Sequence, residues 1–209
     1  MGCGKSSVGR RLSELLCCPF MDLDQVIEER AGRTIPEIFS QDGEPAFRQM
    51  ELDALKQIIA EMHKTSLRGS QQRGNLFHSY PTQVTARRNT KESVSLILAL
   101  GGGAVMTAEC AEIVHSETKC IYLRASINTL MEHLEGQTGN RPLLSQENPG
   151  TPHCHSERAK RVEESVLRTL ITDLMAKRSS TYEKTAHIII DIDGKSIEEV
   201  SSEIISILG

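Results

Sequence analysis

Apolar runs alternate with amphipathic helical segments along most of this chain of 209 residues. The clearest apolar runs cover residues 94–100, 119–123 and 186–191, and a shorter one at 19–24 ends in two carboxylates. Continuous apolar strands separated by helices are typical of a parallel sheet that helices cover on both faces. We therefore expect a three-layer α/β fold, with residues 1–209 forming a single domain.

The first residues, MGCGKSS, match the end of the phosphate-loop pattern G-x-x-x-x-G-K-[ST] at Gly4, Lys5 and Ser6. In that pattern backbone N–H groups and the lysine surround phosphates, and the hydroxyl binds Mg²⁺. Apolar residues follow at helical spacing from Val8 to Leu12 and beyond, so the helix that the pattern requires is predicted as well. Taken alone, a chance Gly-Lys-Ser at the start of a helix is the alternative interpretation.

Composition excludes several classes of function. The net charge of −4 gives no reason to expect a nucleic-acid partner. No apolar run reaches the roughly 18 residues of a membrane span, and no signal peptide precedes the first helix, so we expect a cytoplasmic protein. The six cysteines lack C-x-x-C spacing and are predicted to be reduced. Zinc requires four ligands at regular spacing, so the His153-Cys154-His155 run is not expected to form a metal site.

Two polar stretches interrupt the alternation. After a helix predicted at 44–62, residues 63–93 lack apolar periodicity, and we interpret them as an inserted, disordered segment. Residues 136–160 have a similar loop-like composition and precede a helix predicted at 161–183. We interpret both stretches as insertions that are not required by the fold.

Polar features follow several of the predicted strands. Asp22 and Asp24 end the first apolar run, and Gly101, Gly102 and Gly103 follow the second. Ligands of parallel α/β sheets bind at the carboxyl ends of the strands. We therefore expect these residues and the phosphate loop to meet at one edge of the sheet.

Six short motifs, in this order, resemble those of the shikimate kinase family. They are Gly2 to Ser7 (GCGKSS), Asp22-Leu23-Asp24, Phe47-Arg48-x-x-Glu51, Gly101-Gly102-Gly103, Arg141-Pro142-Leu143-Leu144 and Arg178-x-x-x-Tyr182. The resemblance covers nearly the whole chain apart from the two polar stretches. It implies a P-loop fold like that of nucleoside-monophosphate kinases. It also implies ATP-dependent phosphorylation of the 3-hydroxyl of shikimate, a step of chorismate and aromatic amino acid biosynthesis.

The resemblance implies ATP and Mg²⁺ as cofactors. Ser6 and Asp22 match the positions associated with the metal, and Lys5, Asp24 and Arg141 match the catalytic positions. Arg141 matches the arginine of a lid, which the 136–160 stretch would form. The positions implied for nucleotide binding are Gly2, Cys3, Gly4, Lys5, Ser6, Ser7 and Arg141.

The resemblance also implies how shikimate would bind. Guanidinium groups bind carboxylates through two parallel hydrogen bonds, which suits Arg48 and Arg178 to the substrate carboxylate. Asp24 would orient the nucleophilic hydroxyl or accept its proton, and Glu51, at i+3 from Arg48, would fix that guanidinium. The positions implied for substrate binding are Asp24, Arg48, Gly101, Gly102, Gly103 and Arg178.

Structural explanations exist for the same residues. The Arg48–Glu51 pair would be an ordinary solvated helix pair, and Arg178 would complement the dipole at the end of a helix. The two aspartates would be turn and capping residues, and the triple glycine a tight turn.

The chain departs from the family pattern at its start. The strand and the first glycine of the phosphate loop would precede Met1, so we expect the sheet to lack its central first strand. Either the true start lies upstream, which we favour, or the product is damaged.

The insertion in the lid is expected to slow its closure. Another small-metabolite kinase of this fold, such as a gluconate kinase, and a nucleotide-binding remnant without turnover are the alternative functions. The protein is expected to be a monomer.

Overall fold

The computed structural model describes residues 3–68, 94–134 and 157–209. These residues form four short strands and eight α-helices, with one to three helices between successive strands. The strands are β1 Phe20–Asp22, β2 Ile97–Ala99, β3 Ile121–Arg124 and β4 Ile188–Asp191. The helices are α1 Lys5–Leu16, α2 Leu23–Ala31, α3 Ile35–Gln41, α4 Gly43–Arg68, α5 Ala108–Glu117, α6 Ile127–Leu134, α7 Glu157–Thr185 and α8 Ile197–Leu208, and a 3₁₀ turn covers Ala104–Met106.

All the strand pairs in the described residues are parallel. β1 pairs with β2 from Phe20 opposite Ile97 to Asp22 opposite Ala99. β3 pairs with β4 from Ile121 opposite Ile188 to Arg124 opposite Asp191. The predicted parallel α/β architecture is therefore confirmed.

The two pairs form separate two-stranded sheets. In the described ranges no ladder joins β2 to β3. A mostly apolar cavity of about 530 Å³ is lined by both strands and by α1, through residues that include Val8, Leu12, Ile97, Tyr122 and Leu123. The cavity and the missing ladder define a gap between the two sheets.

Aliphatic side chains form the core on both sides of the gap. One buried cluster joins α2, α3 and α4 to β1 and includes Met21, Ile27, Ile38, Phe47 and Ile58. A second joins α1 and α8 to β3 and β4 through side chains such as Val8, Leu12, Leu123, Ile190 and Ile204. These clusters hold the helices against the sheets. The polar residues at the helix ends are thereby positioned at the sheet edge. None of the helices in the described part of the chain has the length and hydropathy that a membrane span requires.

The ends of α4 and α7 differ from the sequence predictions. α4 continues to Arg68, so its predicted end at 62 was wrong and the first six residues of the predicted insertion are helical. No glycine or proline interrupts the chain between Pro45 and Gly69, and His63 Nε2 lies 3.1 Å from Glu117 Oε2. The helix therefore extends past the apolar stripe, because no glycine or proline in this stretch interrupts its backbone hydrogen bonding.

At the other polar stretch, α7 already begins at Glu157, four residues before the predicted start, and so takes up the end of the predicted lid region. Helix-forming residues such as Glu157, Arg158 and Ala159 account for the earlier start. Residues 69–93 and 135–156, which hold the remainder of both predicted insertions and the His153-Cys154-His155 run, lie outside the described residues.

Candidate active site

One pocket of about 840 Å³ lies where β1, β2 and β4 end. It brings together most of the residues that the sequence singled out, from five different parts of the chain. The predicted residues that line it are Cys3, Gly4, Lys5, Ser6, Ser7, Asp24, Arg48, Gly101, Gly102, Gly103 and Arg178. Asp22 adjoins it through a hydrogen bond with Ser6. Gly2 and Arg141 lie outside the described residues.

The nucleotide side of the pocket is the start of α1. Gly4 precedes the helix with φ of 70°, in the left-handed region that favours glycine, and its carbonyl accepts a hydrogen bond from Val8 N at 2.9 Å. No acidic residue lies in the first turn of α1. The N–H groups of this turn, with the Lys5 ammonium beside them, suit phosphate oxygens.

Ser6 and Asp22 lie next to each other at the base of the pocket. Ser6 Oγ donates a hydrogen bond of 2.6 Å to Asp22 Oδ2, and Asp22 Oδ1 accepts one of 3.2 Å from the backbone N–H of Asp24. Asp22 therefore caps α2, as the structural explanation proposed. Its second oxygen and the serine hydroxyl are also the hard oxygen donors that Mg²⁺ prefers, and the two roles are compatible.

Asp24 lies in the first turn of α2 and faces the loop after β2. A Cβ atom on Gly101 would be only 2.5 Å from Asp24 Oδ1, so the glycine makes room for the carboxylate. Burial raises the pKa of Asp24, against the opposing effect of Lys5; Asp22 also raises it. A carboxylate with a raised pKa is a better general base near neutral pH than an exposed one.

Arg48 is held by two carboxylates of its own helix. Its Nη1 donates to Glu51 Oε2 at 2.6 Å, while Nε and Nη2 donate to Glu44 Oε1 at 3.2 and 2.7 Å. The side chain of Glu51 is 1% exposed, which excludes the interpretation of an ordinary solvated pair. Burial lowers the pKa of Arg48 but the bonds to Glu51 and Glu44 outweigh it, so the pKa is raised and the guanidinium stays charged.

The triple glycine allows this guanidinium to approach the backbone. A Cβ atom on Gly103 would lie 2.5 Å from Nη2 and 2.6 Å from Cζ of Arg48. The φ of Gly103 is −105°, which other residues also adopt, so the close approach and not the dihedral angle requires glycine here. The loop therefore lines the pocket beside Arg48 as well as forming a turn.

Arg178 approaches the same loop from α7. Its Nη1 donates to the carbonyl oxygen of Gly102 at 3.3 Å, and the Tyr182 hydroxyl donates to the same oxygen. Arg178 is buried, and α7 continues to Thr185, about two turns further. A helix dipole acts mainly within the last turn, so the dipole interpretation of Arg178 was wrong.

Glu44 and Tyr182 make hydrogen bonds with predicted site residues but had received no role from the sequence. Glu44 lies four residues before Arg48, and Tyr182 four residues after Arg178. Each residue therefore has the i,i+4 spacing of neighbours on one helix face. That spacing was the available signal, but it is equally common on solvated helices.

Comparison with known proteins agrees with this geometry. The family model for shikimate kinase matches residues 1–66 and 73–209. Among curated relatives, the shikimate kinase of Dictyoglomus turgidum is 30% identical over 207 residues, which cover 98% of this chain and 91% of that protein. The shikimate kinase of Thermus thermophilus is 33% identical over 205 residues, covering 98% of this chain and 84% of the relative.

Solved structures are similar as well. A structure of shikimate kinase from Acinetobacter baumannii in complex with shikimate matches with a TM-score of 0.69 and 27% identity, covering 100% of this chain and 88% of that one. Shikimate kinase from Bacteroides thetaiotaomicron has a TM-score of 0.68 at 22% identity, covering 100% and 93%, and supports the fold alone. With a family match over nearly its whole length, the chain belongs to the shikimate kinase family.

Proposed function

We propose that this chain transfers the γ-phosphoryl group of ATP to the 3-hydroxyl of shikimate, giving shikimate 3-phosphate for aromatic amino acid biosynthesis. The proposal rests on one observation. Arg48, Arg178, Asp24 and the glycine loop line the same pocket as Lys5 and Ser6. The reaction needs two cations to bind the substrate carboxylate, one carboxylate to bind the hydroxyl, and a helix N-terminus to bind the phosphates.

The acceptor side of the pocket would bind and activate shikimate. Arg48 and Arg178 would hold its carboxylate, since guanidinium forks match carboxylate oxygens. Asp24 would accept the proton of the 3-hydroxyl while that oxygen forms its bond to the γ-phosphorus. The bond from the γ-phosphorus to ADP breaks in the same step, so Asp24 ends protonated and ADP leaves.

The donor side would hold the nucleotide. The N–H groups of Gly4 to Ser7 and the Lys5 ammonium would bind the β- and γ-phosphates. The serine hydroxyl and carboxylate of Ser6 and Asp22 fit Mg²⁺, which neutralises charge on the phosphates when it is bound. Arg141, outside the described residues, would close over the phosphates and exclude water.

We also propose that the protein acts as a monomer in the cytoplasm, without a nucleic-acid or membrane partner. Both sides of the pocket come from one chain, so no residue from a second copy is required. The small-molecule substrate is the expected partner.

A coupled assay of ADP release tests the function directly. The protein would be supplied with ATP and Mg²⁺ and with shikimate, gluconate or no acceptor. We expect ADP release that depends on shikimate. Release that depends on gluconate would support the alternative kinase instead. Nucleotide binding without any acceptor-dependent release would identify a remnant without turnover.

The carboxylate-binding role of Arg48 is tested by Arg48→Lys. Lysine keeps the charge but loses the fork, and a charge-assisted hydrogen bond contributes about 1.5–3 kcal/mol. We expect KM for shikimate to rise roughly 10- to 100-fold, with KM for ATP little changed. Arg11→Lys is the matched control, because Arg11 also pairs with a glutamate at i+3 but lies on the surface of α1. An equal effect in both variants would remove this role from Arg48.

A further inference from the structure

The carbonyl groups of the triple glycine are held in two different ways. Gly101 O accepts a hydrogen bond from Ala104 N at 3.1 Å, and Gly103 O accepts one from Met106 N at 3.0 Å, both within the 3₁₀ turn. Gly102 O instead accepts from the side chains of Arg178 and Tyr182. The middle peptide of the loop is thus held from α7.

The orientation of that carbonyl also sets the direction of an N–H group. The described peptide bonds are all trans. In a planar trans peptide the N–H of Gly103 points opposite to the C=O of Gly102. The two donors on α7 therefore fix the N–H of the residue that lies against Arg48. Three consecutive glycines would otherwise sample a wide range of conformations.

Tyr182 is well placed to keep its hydroxyl bond. Its ring packs against Tyr122 of β3, with ring centroids 5.2 Å apart and planes at 49°. Burial raises the pKa of Tyr182, so the phenol retains its proton and remains a donor. Arg178 is different, because a bound carboxylate would compete with Gly102 for its N–H groups.

We propose that Tyr182 is a positioning residue for phosphoryl transfer, which keeps the Gly102–Gly103 peptide oriented when Arg178 turns its guanidinium to the substrate carboxylate. The inference rests on the proposed function to the extent that Arg178 binds shikimate. A part-buried carbonyl left without a donor would otherwise oppose that movement. Tyr182 would thus make the binding of the carboxylate by Arg178 less costly, without touching the substrate itself.

Tyr182→Phe tests the proposal, since it removes the hydroxyl and keeps the ring that packs against Tyr122. One neutral hydrogen bond contributes about 0.5–1.5 kcal/mol, so we expect KM for shikimate to rise roughly three- to tenfold. KM for ATP should not change. Tyr122→Phe is the matched control, because it makes the same chemical change on the neighbouring ring. We expect it to leave both constants as they are.

A second measurement separates the inference from the proposed function. Hydrogen exchange of the Gly102 and Gly103 amides in the protein alone should be faster in Tyr182→Phe than in Tyr122→Phe. If the wild-type protein shows no turnover with shikimate, the proposed function fails, and the exchange rates alone decide the inference. An unchanged KM for shikimate together with unchanged exchange, even with a lower Tm, would overturn it and leave Tyr182 a packing residue.

Discussion

At the scale of one residue, the burial of Asp24 lowers the stability of the protein but suits its proposed catalytic role. Burial raises its pKa more than Lys5 lowers it, so folding makes the ionised carboxylate that the reaction would use less favourable than it is in the unfolded chain. Asp22 adds like-charge repulsion. Groups with such perturbed pKa values are frequent at functional sites, where activity takes precedence over stability.

We expect Asp24→Asn to reduce kcat and to stabilise the protein at neutral pH. Loss of a general base lowers kcat by roughly 10²- to 10⁴-fold. The pKa of Asp24 in the folded protein lies above its usual value of 3.8. The folded state therefore binds this proton more tightly than the unfolded state does, and stability falls as pH rises from about 3.8 through the raised pKa. Asn has no such dependence, so its advantage should grow over that range.

Denaturant unfolding of Asp24→Asn and wild type between pH 4 and pH 7 measures this difference. Asp53→Asn is the control, because Asp53 is an exposed carboxylate on α4 that accepts a hydrogen bond from Gln49. The control should leave kcat unchanged. A variant at position 24 that is less stable than wild type at pH 7 would show that the carboxylate stabilises the fold.

The contrast between Arg48 and its partners shows what the sequence could predict at this scale. Motif order selected Arg48, Glu51 and the glycines, and the structure places them next to one another. The hydrogen bond that Arg48 donates to Glu44 was not predicted, since a glutamate four residues away has the same spacing on any solvated helix. Only the burial of Glu51 distinguishes the two cases.

Individual elements were easier to locate than to delimit. Apolar periodicity identifies the face of α4 that packs on the core, where Phe47 and Ile58 are buried. It carries no information on a continuation of the helix beyond the apolar stripe, and so α4 was predicted to end at 62, although it reaches Arg68. The absence of glycine and proline from 46 to 68 was the better signal, because these two residue types are the ones that most disfavour a helix.

We expect residues 69–93 to be dispensable for stability. In a variant, a flexible linker of about ten residues replaces them, joining Arg68 to Val94. Loop-closure entropy changes by only about 0.6 kcal/mol for each doubling of length, and the shorter loop is the favoured one. Tm should therefore stay unchanged or rise by a few degrees, as measured by differential scanning calorimetry. A Gly/Ser segment of the original length is the control that separates sequence from length. A large loss of Tm in both variants would show that 69–93 packs against the fold.

At the scale of the whole molecule, α1 connects two sheets that have no ladder between them in the described residues. The proposed acceptor side of the pocket follows β1 and β2, through Asp24 and the triple glycine. α1 contacts β2 on one side and α8, which follows β4, on the other. The sequence predicted parallel pairing correctly because each apolar run is recognisable by itself. Whether neighbouring pairs join depends on contacts between distant residues, which no local pattern records.

The gap between β2 and β3 leads to a prediction about the whole fold. We expect an added strand before Met1, of about six β-branched residues ending in Gly-x, to enter the cavity of about 530 Å³ and raise Tm. The N–H and C=O groups of the facing strands would gain partners, and Ile97 and Leu123 would gain apolar contacts. Each kcal/mol raises Tm by roughly 2–4 °C in a chain of this size, so a rise of about 5 °C or more is expected. The added glycine would also extend the phosphate loop and lower KM for ATP.

A Gly/Ser extension of the same length is the control for this prediction, because it adds chain without apolar side chains or strand propensity. We expect it to leave Tm and KM for ATP unchanged. Calorimetry and the ADP-release assay measure both quantities for each extended chain. Equal Tm values for the two extensions would show that the gap does not accept a strand. A higher Tm with unchanged KM for ATP would show that the strand joins the sheets without completing the phosphate loop.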